Sequence, residues 1–204
     1  SISGGADAAK FAINSSTGVL TFVSAPDFEV PTDIGGNNVY DVTVQVSDGA
    51  FTDTQGIAVT VTNVNESPVI TSDGGGTTAS VSAAENQTAA TTVASTDVDG
   101  GAPSYSIVGG ADAALFTINA STGALNFAAA PNFEAPADAG GNNVYDVTVQ
   151  VADGNGGTDT QAIAVTVTPV NDNAPVITSD GGGATATANV AENTTAVTTV
   201  VATD

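Results

Sequence analysis

The sequence contains no cysteine, histidine, methionine or tryptophan, and Lys10 is its single basic side chain. Without cysteine and histidine, the chain can form no disulfide, no thiolate or imidazole catalytic group, and no zinc site of the Cys/His type. Because 22 acidic residues oppose one basic residue, the formal charge is −21. Nucleic acids and anionic membrane surfaces, which require a basic face, are therefore poor partner candidates.

Long hydrophobic runs are also missing, since no apolar stretch approaches the roughly 20 residues that a membrane helix needs. The chain does not open with the charged and then apolar segment of a secretion signal, so we expect any signal or anchor to lie outside residues 1–204. Hydrophobic residues nevertheless make up 41% of the sequence and charged residues only 11%, a composition that favours folding over disorder. The 23 glycines, with frequent valine and threonine, favour short strands and tight turns.

The sequence repeats itself with a period of about one hundred residues. The stretch SISGGADAAKFAINSSTGVLTF at Ser1 returns as SIVGGADAALFTINASTGALNF at Ser106, and GGNNVYDVTVQV at Gly35 returns unchanged at Gly140. PVITSDGGG occurs at both Pro68 and Pro175. We therefore predict a first unit at residues 1–66 that lacks its opening strands, a complete second unit at 67–173, and a tail at 174–204 that corresponds to the opening strands of a further unit.

Within a unit, hydrophobic residues alternate with polar ones at the two-residue period of a half-buried strand. Tyr145 to Val151 and Ile163 to Val167 follow this pattern, and the pairs Phe116/Ile118 and Leu125/Phe127 flank the turn NASTG as a hairpin would. With six or seven strands and no helical period, each unit is predicted to be an all-β, antiparallel, Greek-key sandwich, and the chain to be a tandem, end-to-end array. The repeated aromatic residues are expected to lie in the cores; they are Phe11, Phe22, Phe28, Tyr40, Phe116, Phe127, Phe133 and Tyr145.

Acidic and amide side chains concentrate where one unit ends and the next begins. With almost no basic residues available, their counter-charge must come from solution, and oxygen ligands at flexible spacing suit Ca²⁺ better than Mg²⁺. The candidates are Asn65 and Glu66 in the first linker, Asn171, Asp172 and Asn173 in the second, and Asp27, Glu29, Asp97, Asp99 and Asp153 at strand ends that could reach the first junction.

Several short motifs together resemble the cadherin repeat. They are VNDNAP at Val170, AEN at Ala84 and Ala191, TDVD at Thr96, DFE at Asp27 and the YDVTVQVADG strand, and they occur in the order and near the spacing of that family. The composition, rich in glycine, threonine and valine, is similar to that of the cadherin-like repeats of large bacterial surface proteins.

The resemblance implies calcium ions between consecutive units. At the first junction, the calcium ligands would be Asp27 and Glu29 of the preceding unit, Asn65 and Glu66 of the linker, and Asp97, Asp99 and Asp153 of the following unit. At the second junction, they would be Glu85 and Glu134 of the preceding unit, Asn171, Asp172 and Asn173 of the linker, and Asp204 of the following unit. The chain departs from the family pattern at Asn63, Glu66, Ser67, Asn132 and Pro169, which implies fewer ions than the three usual in the family.

The resemblance implies a structural and adhesive segment of an extracellular or surface-located bacterial repeat protein or filament, without enzymatic activity. Neighbouring repeats, identical chains, cell-surface proteins or polysaccharide would be its partners. The missing and surplus strands suggest that the tail of one chain completes the first unit of the next by donor-strand exchange. Two alternatives stay open, namely a calcium-dependent carbohydrate-binding module and a passive spacer that binds no metal.

Overall fold

The computed structural model describes residues 1–203, so Asp204 lies outside the described residues. The described chain consists of short strands joined by turns, and its helical residues form only four one-turn 3-10 segments. In the described part of the chain, no helix is long and apolar enough to cross a bilayer. The strands are β1 (Ile2–Gly4), β2 (Phe11–Ile13), β3 (Leu20–Phe22), β4 (Val39–Ser47), β5 (Thr52–Thr60), β6 (Val69–Ile70), β7 (Thr78–Ala84), β8 (Ala89–Thr92), β9 (Ser95–Thr96), β10 (Ser104–Gly109), β11 (Phe116–Ile118), β12 (Ala124–Phe127), β13 (Val144–Ala152), β14 (Thr158–Thr168), β15 (Val176–Ile177) and β16 (Ala202–Thr203).

Residues 67–173 carry two sheets and a short additional strand pair. One sheet has the order β10-β13-β14-β7, the other has the order β11-β12-β8, and β6 pairs with β9. The pairs are antiparallel, as expected, except that β7 runs parallel to β14. The predicted hairpin is confirmed, because Phe116 pairs with Phe127 and Ile118 with Leu125.

The alternation seen in the sequence directs one face of each long strand into a core. Val149 and Val151 of β13 and Ile163 and Val165 of β14 are buried against Leu125 and aromatic residues of the other sheet. The rings of Phe116 and Phe127 stack with centroids 4.7 Å apart, and Tyr145 meets Phe127 edge-on at 5.2 Å. This geometry adds to the burial of apolar area that stabilises the sandwich.

Residues 1–66 show the same strands with a smaller core. The sheet has the order β1-β4-β5, β2 pairs with β3, and the buried cluster contains only Phe11, Tyr40 and Val42. No strand in residues 1–203 pairs with the outer edge of β5. Val46 is 68% exposed, whereas Val151, its counterpart in the repeat, is fully buried in a core that includes Ile70, Val93 and Tyr105, residues without a counterpart in 1–66.

Residues 174–203 are largely exposed and contain a two-stranded sheet in which β15 pairs antiparallel with β16. This pairing reproduces that of β6 with β9. Ile177 is 53% exposed, whereas its counterpart Ile70 is fully buried.

Candidate metal centre

Three carboxylates from three separate segments meet between the first and second units. Glu29 precedes β4, Glu66 lies in the linker after β5, and Asp99 lies in the loop between β9 and β10. One oxygen of each side chain lies within 4.8 Å of the other two. We call these residues the first junction cluster.

Hydrogen bonds fix Asp99 at the centre of the first junction cluster. The side-chain amide of Asn63 donates to Oδ1 of Asp99 at 2.7 Å, and the backbone N–H of Glu66 donates to Oδ2 at 2.8 Å. These two bonds hold the pKa of Asp99 below its ordinary value. Asp99 therefore stays ionised and ties the linker to the second unit.

The two glutamates of the cluster behave in the opposite way. Loss of solvation raises the pKa of Glu29 and Glu66 above the ordinary value of 4.5, and repulsion from neighbouring carboxylates, including that of Asp99, raises it further. Lys10, the single basic side chain of the sequence, is not among the groups that shift the pKa of either glutamate. A divalent cation would supply the missing counter-charge.

The remaining acids predicted for the first junction lie beside the cluster. Asp27 folds back on its own loop, where Oδ1 accepts the N–H groups of Glu29 and Val30 at 3.0 and 3.1 Å. Asp97 Oδ1 accepts the N–H of Asp99 at 3.0 Å. Asp97 also shares a small cavity of about 70 Å³ with Asp153.

Asn65 links the same linker to the turn between β13 and β14. Its side-chain amide donates to Oδ2 of Asp153 at 2.7 Å and to the carbonyl oxygen of Glu66 at 2.9 Å. The bond from Asn65 lowers the pKa of Asp153 below its ordinary value, so this carboxylate is ionised as well. Of the residues predicted for the first junction, the structure thus brings Glu29, Glu66 and Asp99 together and places the others beside this cluster, namely Asp27, Asn65, Asp97 and Asp153.

An open cleft of about 580 Å³ borders the first junction cluster. Its lining combines Glu29 and Glu66 with the apolar residues Phe28, Val64 and Val98. The expectation that Phe28 belongs to the core was wrong, since this residue is 36% exposed and lines the cleft. Its counterpart Phe133 packs against the core of the second unit.

A second trio of carboxylates lies at the far end of the second unit. Oxygens of Glu85, Glu134 and Asp172 lie within 4.8 Å of one another, and we call these residues the second junction cluster. Glu85 is buried and accepts the backbone N–H groups of Phe133 and Val170, each at 2.8 Å, which lowers its pKa below the ordinary value.

The linker amides predicted for the second junction accompany this cluster. Asn171 and Asn173 line the same cleft as Glu134 and Asp172, and Asn173 donates to Oδ1 of Asp172 at 3.0 Å. The prediction for Asp204 falls outside the described residues. The described members of the second junction cluster belong to the second unit and to the linker that follows it.

Two contributors were missed by sequence reasoning. Asn63, one of the departures from the family pattern that imply fewer ions, donates from its side-chain amide to Asp99. Asn86, which has a left-handed φ of 63°, donates from its side chain to Oδ2 of Asp172 at 2.6 Å. Its position directly after Glu85 in the AEN motif was the available signal.

Comparison with known proteins identifies the type of repeat. The profile of the bacterial Ig domain family matches residues 65–166, half of the chain. Human protocadherin Fat 1 is 32% identical over 186 residues, which cover 86% of this chain and 4% of the human protein. The chain therefore spans a small part of this relative, which, like the similar solved structures, is a cadherin-type protein.

Solved cadherin structures share the fold. Mouse protocadherin-24 EC1-3 has a TM-score of 0.58 and 23% identity, covering 98% of this chain and 64% of that chain. The protocadherin gammaB7 EC3-6 cis-dimer structure has a TM-score of 0.57 and 24% identity, covering 88% of this chain and 43% of that chain. The predictions of an all-β sandwich and of cadherin-like repeats are confirmed. The chain belongs to the bacterial Ig domain family, and its repeats are cadherin-like sandwiches.

Proposed function

We propose that the chain is a structural and adhesive segment of an extracellular bacterial repeat protein, and that Ca²⁺ stiffens the joint between its units. The single observation that carries this proposal is the first junction cluster, in which Glu29, Glu66 and Asp99 come from the first unit, the linker and the second unit. A cation held by all three would tie two sandwiches to one coordination sphere. The cadherin-type relatives support this reading.

The donor set agrees with calcium. The available ligands are carboxylate, amide and backbone oxygens, and such extracellular calcium modules bind in the range of about 10⁻⁴ to 10⁻³ M. Asp27, Asn65, Asp97 and Asp153 surround the cluster and would complete or support its coordination. In a medium containing millimolar calcium the joint would be rigid, and in a chelator it would loosen.

Calorimetric titration and thermal melts, each with and without millimolar Ca²⁺, test this proposal. We expect Ca²⁺ to raise the melting temperature, and Asp99→Asn to weaken binding by roughly an order of magnitude because it removes a ligand charge. Asp146→Asn is the matched control, since it removes an equal charge from an exposed site on β13, outside both clusters. Equal melting temperatures with and without Ca²⁺ would contradict the proposal and leave a passive spacer.

We further propose that chains assemble by donor-strand exchange, with residues 174–203 of a second copy covering the open face of the first unit. The second unit provides the template, because β7 pairs along β14 and Ile70 is buried, with its N–H bonded to Asp159 at 2.8 Å. In the exchanged arrangement, Ile177 would take the place of Ile70 beside Asp53, the counterpart of Asp159. Val200, now 67% exposed, would take the place of the buried Val93.

Sedimentation velocity over a range of concentrations tests the exchange. We expect concentration-dependent linear oligomers that Ile177→Asp abolishes, because a carboxylate would be buried in the acceptor core. Val176→Asp is the matched control, since Val69 at the equivalent position remains exposed in the second unit. A wild-type chain that stays monomeric throughout would contradict strand exchange.

A calcium-dependent carbohydrate-binding module is a second candidate, favoured by the exposure of Phe28 beside Glu29 and Glu66 in the open cleft. A sugar could stack on this ring while its hydroxyl groups bind the cation. Binding to a glycan array in Ca²⁺ that is lost in Phe28→Ala would support this function. Absence of binding to any glycan would leave the structural role alone.

A further inference from the structure

The turns that precede β5 and β14 are equivalent by their hydrogen bonds. In the first unit, the N–H of Asp48 donates to the carbonyl oxygen of Phe51 at 3.3 Å, and the N–H of Phe51 donates to Oδ1 of Asp48 at 2.7 Å. In the second unit, Asp153 and Gly157 form the same two bonds, at 3.2 and 3.0 Å. Phe51 and Gly157 therefore occupy the same structural position, although the second turn is one residue longer.

Gly157 lies directly against the linker of the first junction. A Cβ atom placed on Gly157 would lie 2.8 Å from Cα of Ser67 and 3.0 Å from the carbonyl oxygen of Glu66, and would also collide with the carboxylate of Asp153. Two of these three obstacles are backbone atoms, which cannot rotate away as a side chain can. The φ angle of Gly157 is outside the left-handed region, so close approach, and not backbone conformation, is what requires glycine here.

The contact involves residues of the proposed calcium site. Glu66 belongs to the first junction cluster, and Asp153 accepts from Asn65 of the same linker. A side chain at position 157 would push the linker away from the turn. Such a shift would move Glu66 relative to Glu29 and Asp99.

We infer that the residue at this turn position decides whether a unit accepts a calcium-bound linker at that end. Gly157 leaves room for the linker to lie against its turn. Phe51, at the same position in the first unit, is 78% exposed and carries a side chain that would collide with a linker placed in that way. The end of the first unit that carries Phe51 therefore does not form a calcium joint of the kind made at the first junction, so a tail donated by a second copy would seat Ile177 in this unit while its linker residues Asn173 and Ala174 stay clear of the turn. This inference rests on the proposed function, because it assigns a specificity-determining residue to the same calcium joint.

Distances between spin labels at Ala12→Cys and Thr117→Cys test the inference. These positions are equivalent in the two units, both are exposed, and the chain has no other cysteine. In the otherwise unchanged chain, Ca²⁺ is expected to narrow the distance distribution. In Gly157→Phe, we expect the distance distribution to stay broad in Ca²⁺. The Ca²⁺ concentration that gives half-saturation should rise by roughly ten-fold or more, as when the groups that position metal ligands are displaced.

Two further variants separate a blocked joint from a damaged sandwich. Asn155→Phe places the same ring at the exposed tip of the turn and is expected to behave as the unchanged chain does. Gly157→Ala adds only the forbidden Cβ and is expected to broaden the Ca²⁺-bound distribution while leaving the melting temperature in chelator unaltered. Narrowing in Gly157→Phe equal to that of the unchanged chain would overturn the inference while leaving the proposed function intact. A lack of narrowing in the unchanged chain would overturn both.

Discussion

Acidic side chains in this protein have two different structural roles. Asp112 is buried, and its carboxylate accepts the backbone N–H groups of Ala139 at 2.7 Å and Asp146 at 2.8 Å. Asp7 does the same in the first unit with Ile34 and Asp41. These carboxylates brace a loop against β4 or β13, whereas those of the junction clusters face one another.

Asp112→Ala is therefore expected to lower the stability of the second unit by about 1 to 3 kcal/mol, because two backbone N–H groups lose their partner. The loss should be the same in Ca²⁺ and in chelator. Chemical denaturation in both media measures it, and Asp146→Ala, which alters an exposed side chain, is the control. A loss seen only in Ca²⁺ would instead make Asp112 part of a metal site.

The raised pKa values of Glu29 and Glu66 predict opposite effects of acid in the two media. In chelator, these groups bind protons more readily in the folded chain, so stability should increase as the pH falls through their raised pKa values. In Ca²⁺, protons compete with the cation, so affinity should fall over the same range, which begins above pH 4.5. Titration calorimetry and melts at a series of pH values measure both trends. Calcium affinity that is constant across this range would show that these glutamates are not ligands.

At the level of strands, β5 and β14 have the same sequence pattern but different surroundings. β14 lies between β13 and β7, whereas β5 has a partner on one side only. Hydrogen exchange in a dilute, monomeric sample should therefore be faster in Thr52–Thr60 than in Thr158–Thr168, by roughly two orders of magnitude, since an edge strand opens at lower free energy. At high concentration, donor-strand exchange between chains should slow the hydrogen exchange of the backbone amides in β5. Equal protection of both strands in the dilute sample would indicate that the first unit is closed in another way.

The sequence allowed the strands to be predicted better than their partners. Alternation along Tyr145 to Val151 specified a strand and its buried face, and the aromatic pair Phe116 and Phe127 specified a hairpin register, because both signals are local. The parallel pairing of β7 with β14 joins segments about eighty residues apart and has no local signal. For the same reason, the acids of the first junction could be chosen from motifs, while the donor role of Asn63 and the contact of Gly157 with the linker appeared only in three dimensions.

At the scale of the whole molecule, the formal charge of −21 leaves the carboxylates without basic partners, and their mutual repulsion is concentrated at the joints between units. Each sandwich buries its own core, and the carboxylates that repel one another gather between the sandwiches. A solution cation would turn this repulsion into a cross-link without disulfides. Rigidity would then depend on the calcium concentration of the surrounding medium.

Crystals grown in Ca²⁺ and examined by anomalous diffraction test the shared cation most directly. The account predicts an anomalous peak at the first junction, about 2.3 to 2.6 Å from oxygens of Glu29, Glu66 and Asp99 together. A well-ordered map in which these side chains carry no such peak, or in which a cation contacts only one of the two units, would contradict it.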